Sequence, residues 1–340
     1  MNLPDYQYLP APFGLINALH LLTLTLHFAA MNFVVGGVVA VLWAGFDGRS
    51  EHPVVQRFVG LFPTAMAATV TLGVAPLLFL QLVYPHQVYA ASIISAWYWL
   101  AIIGAVITGY YLLYGAALST ASGSGRRRLL LFAALICLLY VSLAYSSVFS
   151  LAERPGLMKQ LYAADPSGRT WNPDAGAYAF RWLHMILGAV TVGGFFVGLL
   201  GKDDAGAFRA GRNLFLWGMV LAALAGFGYL FSLGPHLRSL MRSPAIWTLN
   251  ISIVLAAGAL HFFFRRQFVP AAALLFISLL LMVYTRHALR LLQLETAYNP
   301  ASVRVAPQWS PFLLFLACFV LALGVVAWIL RLFFRGARNR

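Results

Sequence analysis

The stretch FGLINALHLLTLTLHFAAMNFVVGGVVAVLWAGF, Phe13 to Phe46, decides how the chain is read. It holds no Asp, Glu, Lys or Arg, and it is longer than the roughly 20 apolar residues that cross a bilayer as a helix. The surplus length implies a tilted helix or one that continues past the interface. Two histidines interrupt it, His20 and His27. A spacing of seven is close to two helical turns, so both imidazoles face the same way, roughly 10 Å apart along the axis. Ionisable side chains are costly in hydrocarbon and turn to the interior of a helix bundle. Two of them on one face define a candidate site.

The rest of the chain agrees with a membrane setting. Of 340 residues, 61% are hydrophobic and only 9% charged, and the mean hydropathy is +0.82. That composition excludes an ordinary soluble domain and implies one polytopic bundle. Met1–Pro12 lacks a basic start, and the run that follows is too long for a cleavable signal, so none is expected. The net charge of +14 sits mostly on loop arginines. It reads as topology and contact with anionic membrane lipid, with no nucleic-acid partner. Cys137 and Cys318 both lie in apolar runs and read as unpaired core residues. No Cys-x-x-Cys-His occurs, which excludes covalent c-type haem in this chain.

Nine apolar runs are predicted as spans: Phe13–Phe46, Phe58–Tyr84, Ser95–Ser119, Leu129–Leu151, Ala177–Leu200, Leu214–Leu233, Ala245–Phe264, Phe268–Leu292 and Pro311–Phe334. The fold class is therefore all-α, a polytopic helical bundle in a single domain. Spans one to four and five to eight would form two bundles, with the ninth peripheral. No internal repeat is evident. With the N-terminus outside, 14 of the 23 Lys and Arg fall on inner segments and 9 on outer ones. The positive-inside rule then places the C-terminus in the cytoplasm. The expected location is a bacterial inner membrane.

That orientation sorts the eight histidines. His20, His27, His184 and His287 lie in the outer halves of their spans, and His86 and His236 follow at outer turns. Only His52 and His261 fall inside, where they read as surface residues. Neutral imidazole is a common metal ligand and a common axial ligand of haem. His27, His184, His20 and His287 are therefore the candidate haem-iron ligands, with His236 and His86 as lesser candidates. The competing reading of each is a plain interhelical hydrogen bond. His86 and His236 also suit loop positions or protonatable groups beside a quinol.

Arg181 precedes His184 by three residues, and Arg286 and Arg290 flank His287. Arginine suits the two carboxylates of a haem, although snorkelling to the lipid interface explains it too. The nine acids (Asp5, Asp47, Glu51, Glu153, Asp165, Asp174, Asp203, Asp204, Glu295) avoid the interior of the spans. This leaves no acidic relay from the inside to mid-membrane. Glu153 and Glu295, at outer helix ends, are candidate proton acceptors or ordinary interfacial acids. Trp97, Tyr98 and Trp99 read as an interfacial belt.

LHFAAMNFVVGG (Leu26–Gly37) resembles the first helix of the large, haem-bearing subunit of cytochrome bd quinol oxidases, and RWLHMILGAVTVGG (Arg181–Gly194) resembles its fifth. TLGVAPLLFLQLVYPHQVYAASIISAWYWL (Thr71–Leu100) resembles a segment of shorter bd-like membrane cytochromes. The likeness covers about the first 200 residues. It implies nine spans with the N-terminus outside, His27 as the first-helix haem ligand and His184 as the fifth-helix ligand of a low-spin haem b. The chain departs from the family in lacking the long quinol loop between helices six and seven, the Gly-Arg-Gln-Pro-Trp motif and the membrane glutamates. Its seventh run has no methionine to complete the low-spin haem; Met219 and Met241 are imperfect substitutes, and His287 or His20 would supply bis-histidine ligation instead.

The expectation is a membrane cytochrome b with two or more haems b. It would exchange electrons between quinol and a c-type cytochrome or another subunit of a respiratory complex. A divergent oxygen-reducing bd oxidase is the alternative, and a haemless transporter or scaffold the third reading.

Overall fold

The computed structural model describes residues 8–46, 52–119 and 124–338. Asp5, Asp47, Arg49, Glu51 and Arg340 lie outside the described residues. Twelve helices follow in chain order: α1 (Phe13–Phe46), α2 (Pro53–Val83), α3 (Pro85–Ile94), α4 (Ala96–Leu118), α5 (Ser124–Ala152), α6 (Pro155–Ala164), α7 (Ala175–Leu200), α8 (Ala205–Ser232), α9 (Pro235–Arg242), α10 (Ala245–Phe264), α11 (Phe268–Leu294) and α12 (Trp309–Arg338). Among the described residues there is no strand, only an isolated bridge between Leu9 and Val305.

Among the described residues, eight helices are long and apolar enough to cross a membrane: α1, α2, α4, α5, α7, α8, α10 and α11. The chain is an all-helical polytopic membrane protein. The predicted ninth span, Pro311–Phe334, falls in α12, where the described apolar stretch, Trp309–Cys318, is too short to cross a membrane. Several helices outrun the predicted apolar limits because their polar ends stay helical. Asp204 Oδ1 accepts the Ala207 amide at 2.6 Å and so starts α8 ahead of its arginines.

The short helices α3, α6 and α9 stand where the sequence suggests turns. Each begins with a proline at its first or second position (Pro85, Pro155, Pro235). There the missing N–H costs nothing and the ring's φ is already helical. They follow α2, α5 and α8, helices that run in the same direction through an alternating bundle, so all three cap the same end. His20 is eight residues into α1 and His184 ten into α7, while His287 lies eight from the end of α11. Alternation brings these three toward the capped end. His52 and His261 lie at the other end.

The chain divides into two compact units, Met1–Ala18 with Pro300–Arg340, and Leu19–Asn299. In the first, the Leu9 amide donates to the Arg304 carbonyl at 2.7 Å and the Ala306 amide to the Leu9 carbonyl at 2.9 Å. In the second, Val34, Val38, Phe58, Phe62, Leu113, Leu131 and Ala189 form one core across α1, α2, α4, α5 and α7. Phe195, Phe208, Phe215 and Phe263 form another across α7, α8 and α10. Large apolar side chains cover the outside as well: Leu118 and Val269 are 79% and 83% exposed. In water such a surface would aggregate; against acyl chains it carries no penalty.

Small residues set the closest approach. A Cβ added at Gly36 would meet the Ala189 carbonyl and lie 2.8 Å from the Gly193 nitrogen, and one at Gly193 would lie 2.9 Å from the Gly36 Cα. Helices α1 and α7 therefore touch backbone to backbone.

Candidate functional site

Three of the four predicted ligand histidines are held in the same way. Nδ1 of His27 lies 2.9 Å from the Thr69 carbonyl, Nδ1 of His184 2.7 Å from the Ala222 carbonyl, and Nδ1 of His20 3.1 Å from the Pro76 carbonyl. A carbonyl oxygen can only accept, so each Nδ1 carries the proton and donates. In the neutral ring the lone pair is then on Nε2. Metal-bound histidines are oriented by this kind of bond from their second nitrogen. For His20, Nε2 is also buried without a hydrogen-bond partner.

Two of these sites repeat one another. His27 bonds the carbonyl of Thr69 and its ring lies over Gly73, four residues on, where a Cβ would come within 2.8 Å of Cε1. His184 bonds the carbonyl of Ala222 and lies over Gly226, again four residues on, where a Cβ would come within 3.0 Å of Nδ1. Each histidine follows a leucine, and each precedes a Gly-Gly pair by nine residues: Gly36-Gly37 and Gly193-Gly194. The local repeat is absent from the sequence expectation because only Leu-His, one valine and Gly-Gly are shared. A search for a His-x8-Gly-Gly spacing would have found it.

Nearer the capped end, His20 and His287 are both buried at 4% exposure. Their ring centroids are 6.2 Å apart, with the planes at 57°. One turn beyond His287 lies a charged cluster. Glu153, itself 6% exposed, binds Arg286 with both oxygens, accepts from Arg290 Nε at 3.1 Å and pairs with Arg181 Nη1 at 3.7 Å. Three guanidiniums face one carboxylate, which leaves an excess of two positive charges. Arg181 Nη1, Arg286 Nε and Arg290 Nη1 have no hydrogen-bond partner. Snorkelling to lipid does not describe these arginines. They converge inside the protein on an acid whose role the sequence reading missed.

Burial alone would push the Glu153 carboxyl up, but Arg286, Arg181 and Arg290 together hold it down at about 2. It stays ionised and is a poor proton acceptor, which argues against the quinol-base role considered for it. Beside it, Tyr84, Gln87, Glu153 and Arg290 line a cavity of about 10 Å³, water-sized at most. The Tyr84 hydroxyl and Gln87 Oε1 have no hydrogen-bond partner. Burial pushes the Tyr84 hydroxyl up to about 12.

The remaining candidates stand apart. His86 lies on α3 and His236 on α9, both half-buried. Met219 packs against the phenylalanine cluster, and Met241 is 62% exposed. Trp99 packs edge-on to Tyr145, with centroids 4.9 Å apart, and Tyr98 to Trp171 likewise. Those two rings are therefore packed, whereas Trp97 is 60% exposed. Among the described residues no three His, Cys, Asp or Glu side chains converge as a chelating set for a metal ion.

No family model and no curated protein matches the sequence. Among solved structures, the bd oxidase from Geobacillus thermodenitrificans is similar, with a TM-score of 0.59 over 93% of this chain and 98% of that chain. The sequences are only 15% identical, so the likeness is one of fold. The chain is thus a polytopic helical membrane protein with a bd-oxidase-like fold.

Proposed function

We propose that this chain is a bd-like membrane cytochrome b that carries electrons between quinol and a c-type cytochrome, or another respiratory subunit, at the outer face of a bacterial inner membrane. The observation that carries the reading is the common fixation of His27, His184 and His20 by Nδ1 to backbone carbonyls. Haem b, when bound, supplies a one-electron carrier whose porphyrin provides four of the six ligands, so one or two histidines suffice. The donor set fits that group. Gly73 and Gly226 leave room for the Nδ1–Cε1 edges of His27 and His184 to approach α2 and α8. The two surplus charges of Arg181, Arg286 and Arg290 equal the charge of two propionates.

With Glu153 committed to its arginines, His86, His236 and the exposed Glu295 are the candidates to take a quinol's protons at the outer end. The shared fold favours a second reading, a divergent oxygen-reducing bd oxidase. The absence of carboxylates within the spans weighs against its proton path.

A pyridine haemochrome assay on the purified protein tests the proposal. Haem b is expected, with content falling in His27→Ala and His184→Ala. Absence of haem b, or unchanged spectra and content in both variants, would refute it. Oxygen uptake with a reduced quinol analogue is expected to be negligible; robust uptake would favour the oxidase.

A further inference from the structure

We infer that His20 and His287 are the two axial ligands of one bis-imidazole haem b, clasped between α1 and α11 and separate from the sites of His27 and His184. The inference rests on the cytochrome reading and specifies a ligand pair within it.

Distance decides between the ways two imidazoles can meet. A direct N–H···N bond of about 2.9–3.0 Å, with roughly 1.1 Å from nitrogen to ring centre on each side, would put the centroids roughly 5.2 Å apart. A metal bonded to one nitrogen of each ring at about 2.0–2.1 Å, with the rings on opposite sides, would put them roughly 6.3 Å apart. The observed separation is 6.2 Å. It is too long for a direct bond and matches a single bridging atom. The 57° angle between the planes excludes face-to-face stacking, and rings bound on opposite sides of an iron are free to take any such angle.

The local chemistry agrees. The Nδ1–H of His20 is taken by the Pro76 carbonyl at 3.1 Å, so its lone pair is on Nε2, which is buried with no hydrogen-bond partner. Leaving a buried acceptor unsatisfied costs about 1–3 kcal/mol; coordination removes the deficit. No third ligating side chain joins the two among the described residues, as expected where a porphyrin fills the equatorial positions. Arg290 sits one turn beyond His287, in the cluster with two surplus positive charges, where it would be available to pair with a propionate. With His27 seven residues further along α1, this helix would ligate two cofactors roughly 10 Å apart.

Two imidazoles make the iron low-spin, so the test is spectroscopic. Electron paramagnetic resonance and near-infrared magnetic circular dichroism of the oxidised, full-length protein in detergent should show a bis-imidazole low-spin component. That component should vanish in His20→Ala and in His287→Ala. In His287→Met it should convert to a histidine–methionine signature, with haem content within 20% of the unsubstituted protein. The Met variant keeps the site filled and ligated, which guards against simple misfolding. Haem b without any bis-imidazole component, or a component untouched in His20→Ala or His287→Met, overturns the pairing while leaving the cytochrome reading intact. A protein devoid of haem b overturns both.

Discussion

His27 donates from Nδ1 to the Thr69 carbonyl at 2.9 Å, and the ring so fixed lies over Gly73 on the same helix. His184 repeats the relationship with Ala222 and Gly226. In both places a backbone carbonyl sets the tautomer and a glycine sets the height of the ring.

The glycines give the first prediction. Alanine is favoured over glycine in a helix by about 1 kcal/mol, so Gly73→Ala and Gly226→Ala would stabilise an unencumbered helix. Here the new methyl would come within 2.8 Å of the His27 ring or 3.0 Å of the His184 ring, and the imidazole must move. Each variant should lose haem content or shift its absorption spectrum. Gly60→Ala, on the same helix as Gly73 and with nothing within 4 Å of the added carbon, should leave both unchanged.

Helices α1 and α7 touch at Gly36 and Gly193, where backbone atoms cannot retreat. Overpacking a tight core costs about 1–3 kcal/mol or more. Gly36→Ala and Gly193→Ala should each lower the melting temperature in detergent by several degrees. An unchanged melting temperature would show that the helices can separate freely.

Glu153 yields a prediction of opposite chemical character. Glu153→Gln leaves buried Arg290 and half-buried Arg181 and Arg286 without their counter-charge, and breaking a buried ion pair by removing one partner costs about 3–5 kcal/mol. A large drop in thermal stability at neutral pH is expected. The folded carboxyl sits at about 2 against an ordinary value of 4.5. Its stabilising contribution is therefore complete above 4.5 and is lost as pH falls toward 2. The unsubstituted protein should show this acid-side loss, and the Gln variant should lack that component.

By contrast, Thr248 and Thr285 share a 2.8 Å hydroxyl contact between α10 and α11. Such interhelical bonds average only about 0.6 kcal/mol in membranes. Thr285→Val should change the melting temperature by less than Glu153→Gln does.

The charge distribution makes a topological prediction. Ser167, between α6 and α7, and Asp203, between α7 and α8, are both exposed at opposite ends of the bundle. With the N-terminus outside, a membrane-impermeant thiol reagent applied to intact cells should label Ser167→Cys and spare Asp203→Cys. The reverse pattern would invert the assignment.

The sequence by itself determined eight of the nine predicted membrane helices and which histidines to expect toward one end of the bundle. Both follow from local rules: a span must be apolar over its whole length, and alternation fixes which end of the bundle each residue approaches. Ala245–Phe264 begins and ends in the structure where the apolar run does, because charge and proline bound it on each side. The short capping helices α3, α6 and α9 were not legible, since eight to ten residues carry too little pattern to separate a helix from a turn. What lies against what was decided by tertiary structure alone. Arg181, Arg286 and Arg290 look like three interfacial cations until Glu153, 28 to 137 residues away in sequence, is seen among them. In the same way His20 and His27 look equivalent along α1, a helix face specifying direction but not the facing surface. Packing separates them: His27 lies over Gly73, and His20 meets His287 across the bundle at 6.2 Å.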